Sequence, residues 1–256
     1  MKKLTAICLA LFMLLSTGAS ASAAAQVAVL MYHEITTDES RHSDWSTSPE
    51  QLEADINYFL DRGYVSLTAS ELANGSMDNL NGKKILLLTF DDGYVGWYTD
   101  VYPILQRTGA KATMFVVGMY INRYGYLSED QIREMANSGL IEIGSHTDHV
   151  HQMPRETLIR LYNSGGADDV ISDIRNNTAR LSEITGQSVT SISWPYGYYT
   201  SLLDGRIKSE LGYTMSFSTD FGVNYYYGDS SFVFNRVNRE NYRTPASLYG
   251  LVEGLF

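Results

Sequence analysis

The chain has one cysteine in 256 residues, and that one, Cys8, lies in an apolar stretch at the amino end. The rest of the chain therefore has no disulfide, no thiolate metal ligand and no cysteine nucleophile. No glycine-rich loop follows a strand pattern, so phosphate-cradling nucleotide folds lack support. No His-Glu-x-x-His helix is present, which argues against the metalloproteases that use it. Positive charge is scarce: 19 Lys and Arg stand against 29 Asp and Glu, giving a formal net charge of −10. Such a balance disfavours nucleic acid and anionic membranes as partners. Internal repeats, low-complexity tracts and clear linkers are also missing, which points to a single domain.

What is present begins with an export pattern. Lys2 and Lys3 precede an almost unbroken apolar run from Leu4 to Leu15, and small residues follow to Ala25 with several Ala-x-Ala options. That layout is a secretory signal peptide over residues 1–25, and the run is short for a membrane span. An uncleaved anchor is the alternative. The expected product is a secreted, cell-surface or periplasmic domain over residues 26–256, with no transmembrane segment after signal cleavage. Tyrosine is abundant at 19 residues, but it suits strands and loops as well as ligand clefts.

Short apolar runs alternate with helical patterns along that domain. Val27 to Met31, Lys84 to Phe90, Ala112 to Val117, Ile141 to Ser145, Val189 to Trp194 and Tyr213 to Ser216 read as buried strands. Ser48-Pro49-Glu50-Gln51 and Ser128-Glu129-Asp130-Gln131 are capping boxes that open helices ending near Gly63 and Gly139. Further helical patterns run to Arg107 and over 156–162, 167–184 and 202–211. This βαβα rhythm predicts an α/β fold of parallel strands with helical crossovers, a barrel in preference to an open sheet.

Three places that could carry chemistry each follow a predicted strand, where parallel α/β folds collect their ligands. The first is Thr89-Phe90-Asp91-Asp92-Gly93. Adjacent carboxylates there suit a division of labour between metal binding and proton transfer, and equally a helix cap or turn. They do not suit a glycosidase pair, whose carboxyls must flank a bond. The second is His146-Thr147-Asp148-His149-Val150-His151, which holds three of the five histidines. His146 and His151 are separated by four residues, a usual zinc spacing; His146 and His149 by two, a tighter one. With Asp92 they would make a mixed nitrogen and oxygen site with open positions, the catalytic pattern for zinc. A polar loop with surface histidines is the plain alternative. The third is His33, at the end of the first strand, where a lone histidine is more often structural. His42, among Asp38, Glu39, Ser40 and Asp44, reads as solvent-exposed.

The Thr-Phe-Asp-Asp-Gly strand end and the His146 cluster together resemble the NodB-homology polysaccharide deacetylases, carbohydrate esterase family four. The resemblance covers residues 27–256. It implies a distorted (β/α)₇ barrel and a divalent metal, usually zinc, on one Asp and two His. By that resemblance Asp91 is the general base, and Asp92, His146 and His151 hold the metal. Most members space their ligand histidines i, i+4, but position 150 here is valine. The i, i+5 spacing of His146 and His151 is similar to the subgroup that includes poly-N-acetylglucosamine deacetylases. Most members carry the acid histidine near the carboxyl end, yet no histidine follows His151. A circularly permuted version supplies it early, and Tyr32-His33-Glu34-Ile35 fits, which makes His33 the implied general acid.

Ser193-Trp194-Pro195-Tyr196-Gly197 resembles the family's Arg-x-Pro-Tyr segment with the arginine replaced by Ser193. That arginine orients the base aspartate in most members; Arg236, in Phe234-Asn235-Arg236-Val237, is the expected substitute. The Tyr196 backbone N–H is the implied oxyanion donor. The function implied is removal of N-acetyl groups from N-acetylglucosamine units of an exopolysaccharide or cell-wall glycan. Acetyl-ester hydrolysis on acetylated xylan would use the same residues, and a glycan-binding relative without turnover is the reading the missing arginine favours.

Overall fold

The computed structural model of the protein describes residues 23–41 and 43–256. Most of the expected signal peptide, and His42, lie outside the described residues. Seven parallel strands close into a barrel: β1 (Ala25–Tyr32), β2 (Lys84–Asp92), β3 (Ala112–Val116), β4 (Ile141–Ser145), β5 (Ser191–Ser193), β6 (Met215–Phe221) and β7 (Val233–Asn238). The strands neighbour one another in that order, and β1 closes the ring by pairing in parallel with both β2 and β7. This is the NodB-type (β/α)₇ barrel, in a single domain. Two short strands extend the sheet at its margins, Tyr64–Ser66 beside β2 and Asn224–Tyr226 antiparallel to β1.

Side-chain alternation decides what each strand gives to which side. From β1, Val27 and Val29 enter one buried cluster with Ile85, Leu87, Phe115, Phe217 and Phe234, while Ala28, Leu30 and Tyr32 enter another with helix residues. The first cluster fills the barrel. Phe115 on β3 and Phe217 on β6 are not on neighbouring strands, yet their rings meet at 5.3 Å across the interior. Asp91 has the parity of Ile85 and Leu87, so β2 delivers its carboxylate to the top of the barrel interior.

Among the helices packed on the outside of the barrel are α1 (Pro49–Leu60), α2 (Glu129–Ala136) and α3 (Ala167–Thr185). The expected capping boxes at Ser48 and Ser128 both form. Leu52, Ile56 and Phe59 lay the apolar face of α1 on the outside of the barrel. Among the described residues, no helix is long and apolar enough to cross a membrane.

The structure differs from the sequence reading in several places. The strand expected at Val27 to Met31 runs from Ala25, which is fully buried and pairs with Tyr226, to Tyr32. The strand expected at Tyr213 to Ser216 runs from Met215 to Phe221, and β7 was not foreseen. In β7 Asn235, Arg236 and Asn238 interrupt the apolar signal; the buried Arg236 is held by hydrogen bonds to Asp91, Ser193 and Ser218.

Candidate metal and catalytic site

The carboxyl ends of β2, β4 and β5 converge on one mouth of the barrel. A cavity of about 490 Å³ opens there, lined by His33, Glu34, Trp45, Asp91, Asp92, Tyr94, His146, His151 and Tyr196. Adjacent aspartates on a regular strand would face opposite sides. Asp92 escapes that rule by adopting φ 91°, and Gly93 follows at φ 100°. The strand thus ends in a strained turn that brings both carboxylates to the cavity.

His146 follows β4 and is buried. Its Nδ1 lies 2.7 Å from the Ser193 carbonyl oxygen, which can only accept, so Nδ1 carries the proton. Nε2 is left with its lone pair toward the cavity, 3.6 Å from Asp92 Oδ1 and 4.0 Å from Asp91 Oδ2. Burial outweighs the pull of the two aspartates and lowers the His146 pKa to about 4, so the ring is neutral at neutral pH. His151 Nε2 approaches the same Asp92 oxygen at 3.3 Å, and its Nδ1 faces the Tyr120 hydroxyl at 3.5 Å. Asp92, His146 and His151 each offer one ligand atom, all within 4.8 Å of one another. One carboxylate oxygen and two imidazole nitrogens, one with its tautomer fixed from behind, fit a divalent ion of the zinc type with open positions. His149 is outside this group. Its side chain is 72% exposed and pairs with Asp148 at 2.9 Å.

Asp91 is held differently. Arg236 reaches it from β7 with both terminal nitrogens, at 2.8 Å to Oδ1 and 2.7 Å to Oδ2. Arg236 Nε donates to the Ser218 carbonyl oxygen at 2.6 Å, fixing the plane of the guanidinium. Ser193, where the resemblance expects arginine, donates its hydroxyl to Asp91 Oδ2 at 2.9 Å and accepts from Arg236 at 2.8 Å. The position is therefore occupied by a relay, and the arginine comes from another strand. Burial alone would raise the Asp91 pKa; the Arg236 charge and its hydrogen bonds reverse that and hold the carboxyl well below its usual range.

His33 follows β1. Its carbonyl oxygen accepts from the Trp97 indole at 2.8 Å, and Trp97 belongs to a π-helical turn, Trp97–Val101, after β2. Its ring meets Trp45 edge-on at 4.9 Å. Nδ1 is buried and has no hydrogen-bond partner among the described residues. Burial lowers the His33 pKa, against the pull of Asp91 and Asp92. Tyr196 holds φ 55° at the cavity rim, and its ring lies parallel to His151 at 6.0 Å. Trp45, Tyr94, Tyr120 and the Ser193 hydroxyl escaped the sequence reading. The position of Tyr94 directly after Asp91-Asp92-Gly93 was the signal available; the others depend on chain segments far apart in sequence.

The model of the polysaccharide deacetylase family matches residues 78–216. YxkH of Bacillus subtilis (strain 168), itself assigned to the polysaccharide deacetylases, is 32% identical over 203 residues, covering 78% of this chain and 66% of its own length. A poly-β-1,6-N-acetyl-D-glucosamine N-deacetylase of Staphylococcus aureus is 24% identical over 159 residues, covering 60% of this chain and 54% of its own. The matches thus span somewhat under two thirds of these relatives. Among solved structures, IcaB from Ammonifex degensii superposes with a TM-score of 0.75 at 26% identity, covering 89% of this chain and 95% of that one. The Streptococcus pyogenes deacetylase PplD in complex with acetate shares the fold, with a TM-score of 0.74 at 24% identity over 90% of this chain. The barrel, the convergent strand ends and these matches agree, and the chain belongs to the polysaccharide deacetylase family.

Proposed function

We propose that this protein is an exported, zinc-dependent hydrolase that removes N-acetyl groups from the N-acetylglucosamine units of a polysaccharide. The observation that carries the reading is the meeting of Asp91, Asp92, His146, His151 and His33 on one cavity. Asp92, His146 and His151 would hold the ion. When bound, it would supply Lewis acidity, polarising the acetyl carbonyl and lowering the pKa of water.

The chain's own groups supply the rest. Asp91 takes the proton of the attacking water. Its pairing with Arg236 keeps it ionised and oriented but weakens it as a base, so the acidity of the water must make up the difference. The Tyr196 backbone N–H stabilises the charge that develops on the acetyl oxygen. His33 protonates the departing nitrogen, because an amine anion is a poor leaving group. Acetate and a free amine result.

Support for the substrate comes from two directions. The S. aureus relative is named for poly-β-1,6-N-acetyl-D-glucosamine. Trp45 and Tyr196 border the cavity with exposures of 53% and 45%, leaving aromatic surface for sugar rings. The leader over residues 1–25 supports export, to a secreted, surface or periplasmic location, with residues 26–256 as the catalytic domain. A relative without turnover was favoured only by the missing arginine, and Arg236 makes the bond to Asp91 instead. Acetate release from poly-N-acetylglucosamine, peptidoglycan, chitin oligomers and acetylxylan, with and without chelator, tests the proposal. Release confined to acetylxylan would replace amide by ester as the substrate; release from none would overturn the enzymatic reading.

A further inference from the structure

The middle of the loop that carries both histidines, residues 147–150, is held by one face of α3. Thr147 takes φ 65°, and the three amides after it point the same way. Asp148 N donates to Asp173 Oδ2 at 2.8 Å, and His149 N and Val150 N donate to Asp173 Oδ1 at 2.8 and 3.2 Å. Successive amides turned to one point form an anion-binding nest, and here a side chain of α3 fills it.

Four residues on, one turn along the same face of α3, Asn177 is buried. Its Nδ2 lies 3.0 Å from the Val116 carbonyl, 3.0 Å from the Ser145 hydroxyl and 2.7 Å from the Thr147 carbonyl, so its two hydrogens are shared among three acceptors. These acceptors come from the ends of β3 and β4 and from the loop itself. Gly118 N also donates to the Thr147 carbonyl, at 3.0 Å. A Cβ on Gly118 would lie 2.4 Å from Asn177 Oδ1 and 2.7 Å from Asp148 Oδ1, so only glycine fits beside the clamp.

Asp148, His149 and Asp173 could be taken for a second metal site, since their ligand atoms also cluster. The hydrogen bonds argue otherwise. Both Asp173 oxygens are directed at amides, and His149 is largely in solvent.

We propose that Asp173 and Asn177 are positioning residues that set the metal affinity of the site. They fix the five-residue step from His146 to His151 so that both Nε2 atoms reach Asp92 before any ion arrives. Neither side chain touches the cavity; each acts through the loop backbone. The inference rests on reading Asp92, His146 and His151 as the metal set.

The test measures zinc affinity of the full mature protein by chelator competition, alongside amide exchange at 148–150 and thermal unfolding of the metal-free protein. The variants are Asp173→Ala, Asn177→Ser and Gly118→Ala, with Arg175→Gln on the opposite, exposed side of α3 as control. Loss of an outer support of a metal ligand typically weakens binding about 10- to 100-fold. That loss is expected in all three variants, with faster exchange at 148–150, and in the control no change. If Asp173→Ala does not fold, the other two decide. Variants that melt earlier but bind zinc as tightly as wild type would make the clamp merely structural and overturn the inference. A wild-type protein that binds no divalent metal would instead overturn the metal reading beneath it.

Discussion

Arg236 binds Asp91 through both terminal nitrogens although 145 positions separate them in the chain. The guanidinium is fully buried and Asp91 nearly so, and each holds the other's charge inside the barrel. Removing one member of such a pair leaves the other charge uncompensated, at a cost of about 3–5 kcal/mol. Arg236→Met is therefore expected to lower stability by that order in denaturant unfolding, and to abolish acetate release. Arg236→Lys should recover part of the stability but little activity, since a point charge cannot make both bonds. Equal activity in Arg236→Lys and wild type would show that bidentate orientation is not needed.

Asp91→Asn keeps the shape and removes the proposed base. Turnover should fall by about 10²- to 10⁴-fold, the usual range for general acid–base catalysis, while bound metal stays near wild type. Metal analysis of the purified variant beside its kcat separates the two roles; parallel loss of metal would move Asp91 into the ligand set.

His151→Ala should lose metal and activity together, whereas His149→Ala should keep both. The difference comes from placement. His151 Nε2 stands 3.3 Å from Asp92, while His149 turns to Asp148 and solvent. Metal content after dialysis against a weak chelator gives the answer, and retention in His151→Ala would refute the assignment.

His33→Ala should slow amide hydrolysis far more than hydrolysis of an aryl acetate. The aryl oxygen departs without a proton and the amine nitrogen does not. Comparing the two substrates on one variant isolates proton donation from folding; an equal loss on both would assign His33 a structural role.

The pH dependence of stability has a definite sign. The Asp91 carboxyl is depressed in the folded state, so its contribution is fully present above the unfolded carboxylate pKa of about 3.9 and is lost as pH falls through the folded value. The stability difference between wild type and Asp91→Asn, measured in chelator, should be flat from neutral pH to about 4 and shrink below it. A difference that declines steadily from pH 7 would contradict this.

Much of this site was legible because strand ends leave marks. Asp91 and Asp92 follow a continuous apolar run, and His146 follows another, so rhythm alone put them near each other. His33 carried no such mark, since one histidine after one strand is ordinary, and only resemblance raised it. Arg236 stands out as a candidate, but its strand leaves no mark, because a buried arginine between two asparagines breaks the apolar pattern. The φ of 91° at Asp92 had no residue-level signal, as aspartate is not glycine. Asp173 and Asn177 were invisible for a related reason: polar residues on a helix look solvated until a loop backbone is found beneath them.

The order of strands around the barrel divides the site in a way that matters during folding. Asp92, His146 and His151 come from the ends of β2 and β4, which β3 joins directly. His33 comes from β1, which pairs directly with β2, whereas Arg236 comes from β7, which meets β1 only when the ring shuts. A partly formed sheet of β1 to β4 could thus gather Asp91, Asp92, His33 and both histidines while lacking the Arg236 counter-ion of Asp91. Pairings so distant in sequence form late. Competence for chemistry is therefore coupled to closure of the barrel, and a chain whose β7 has not yet docked would be inert.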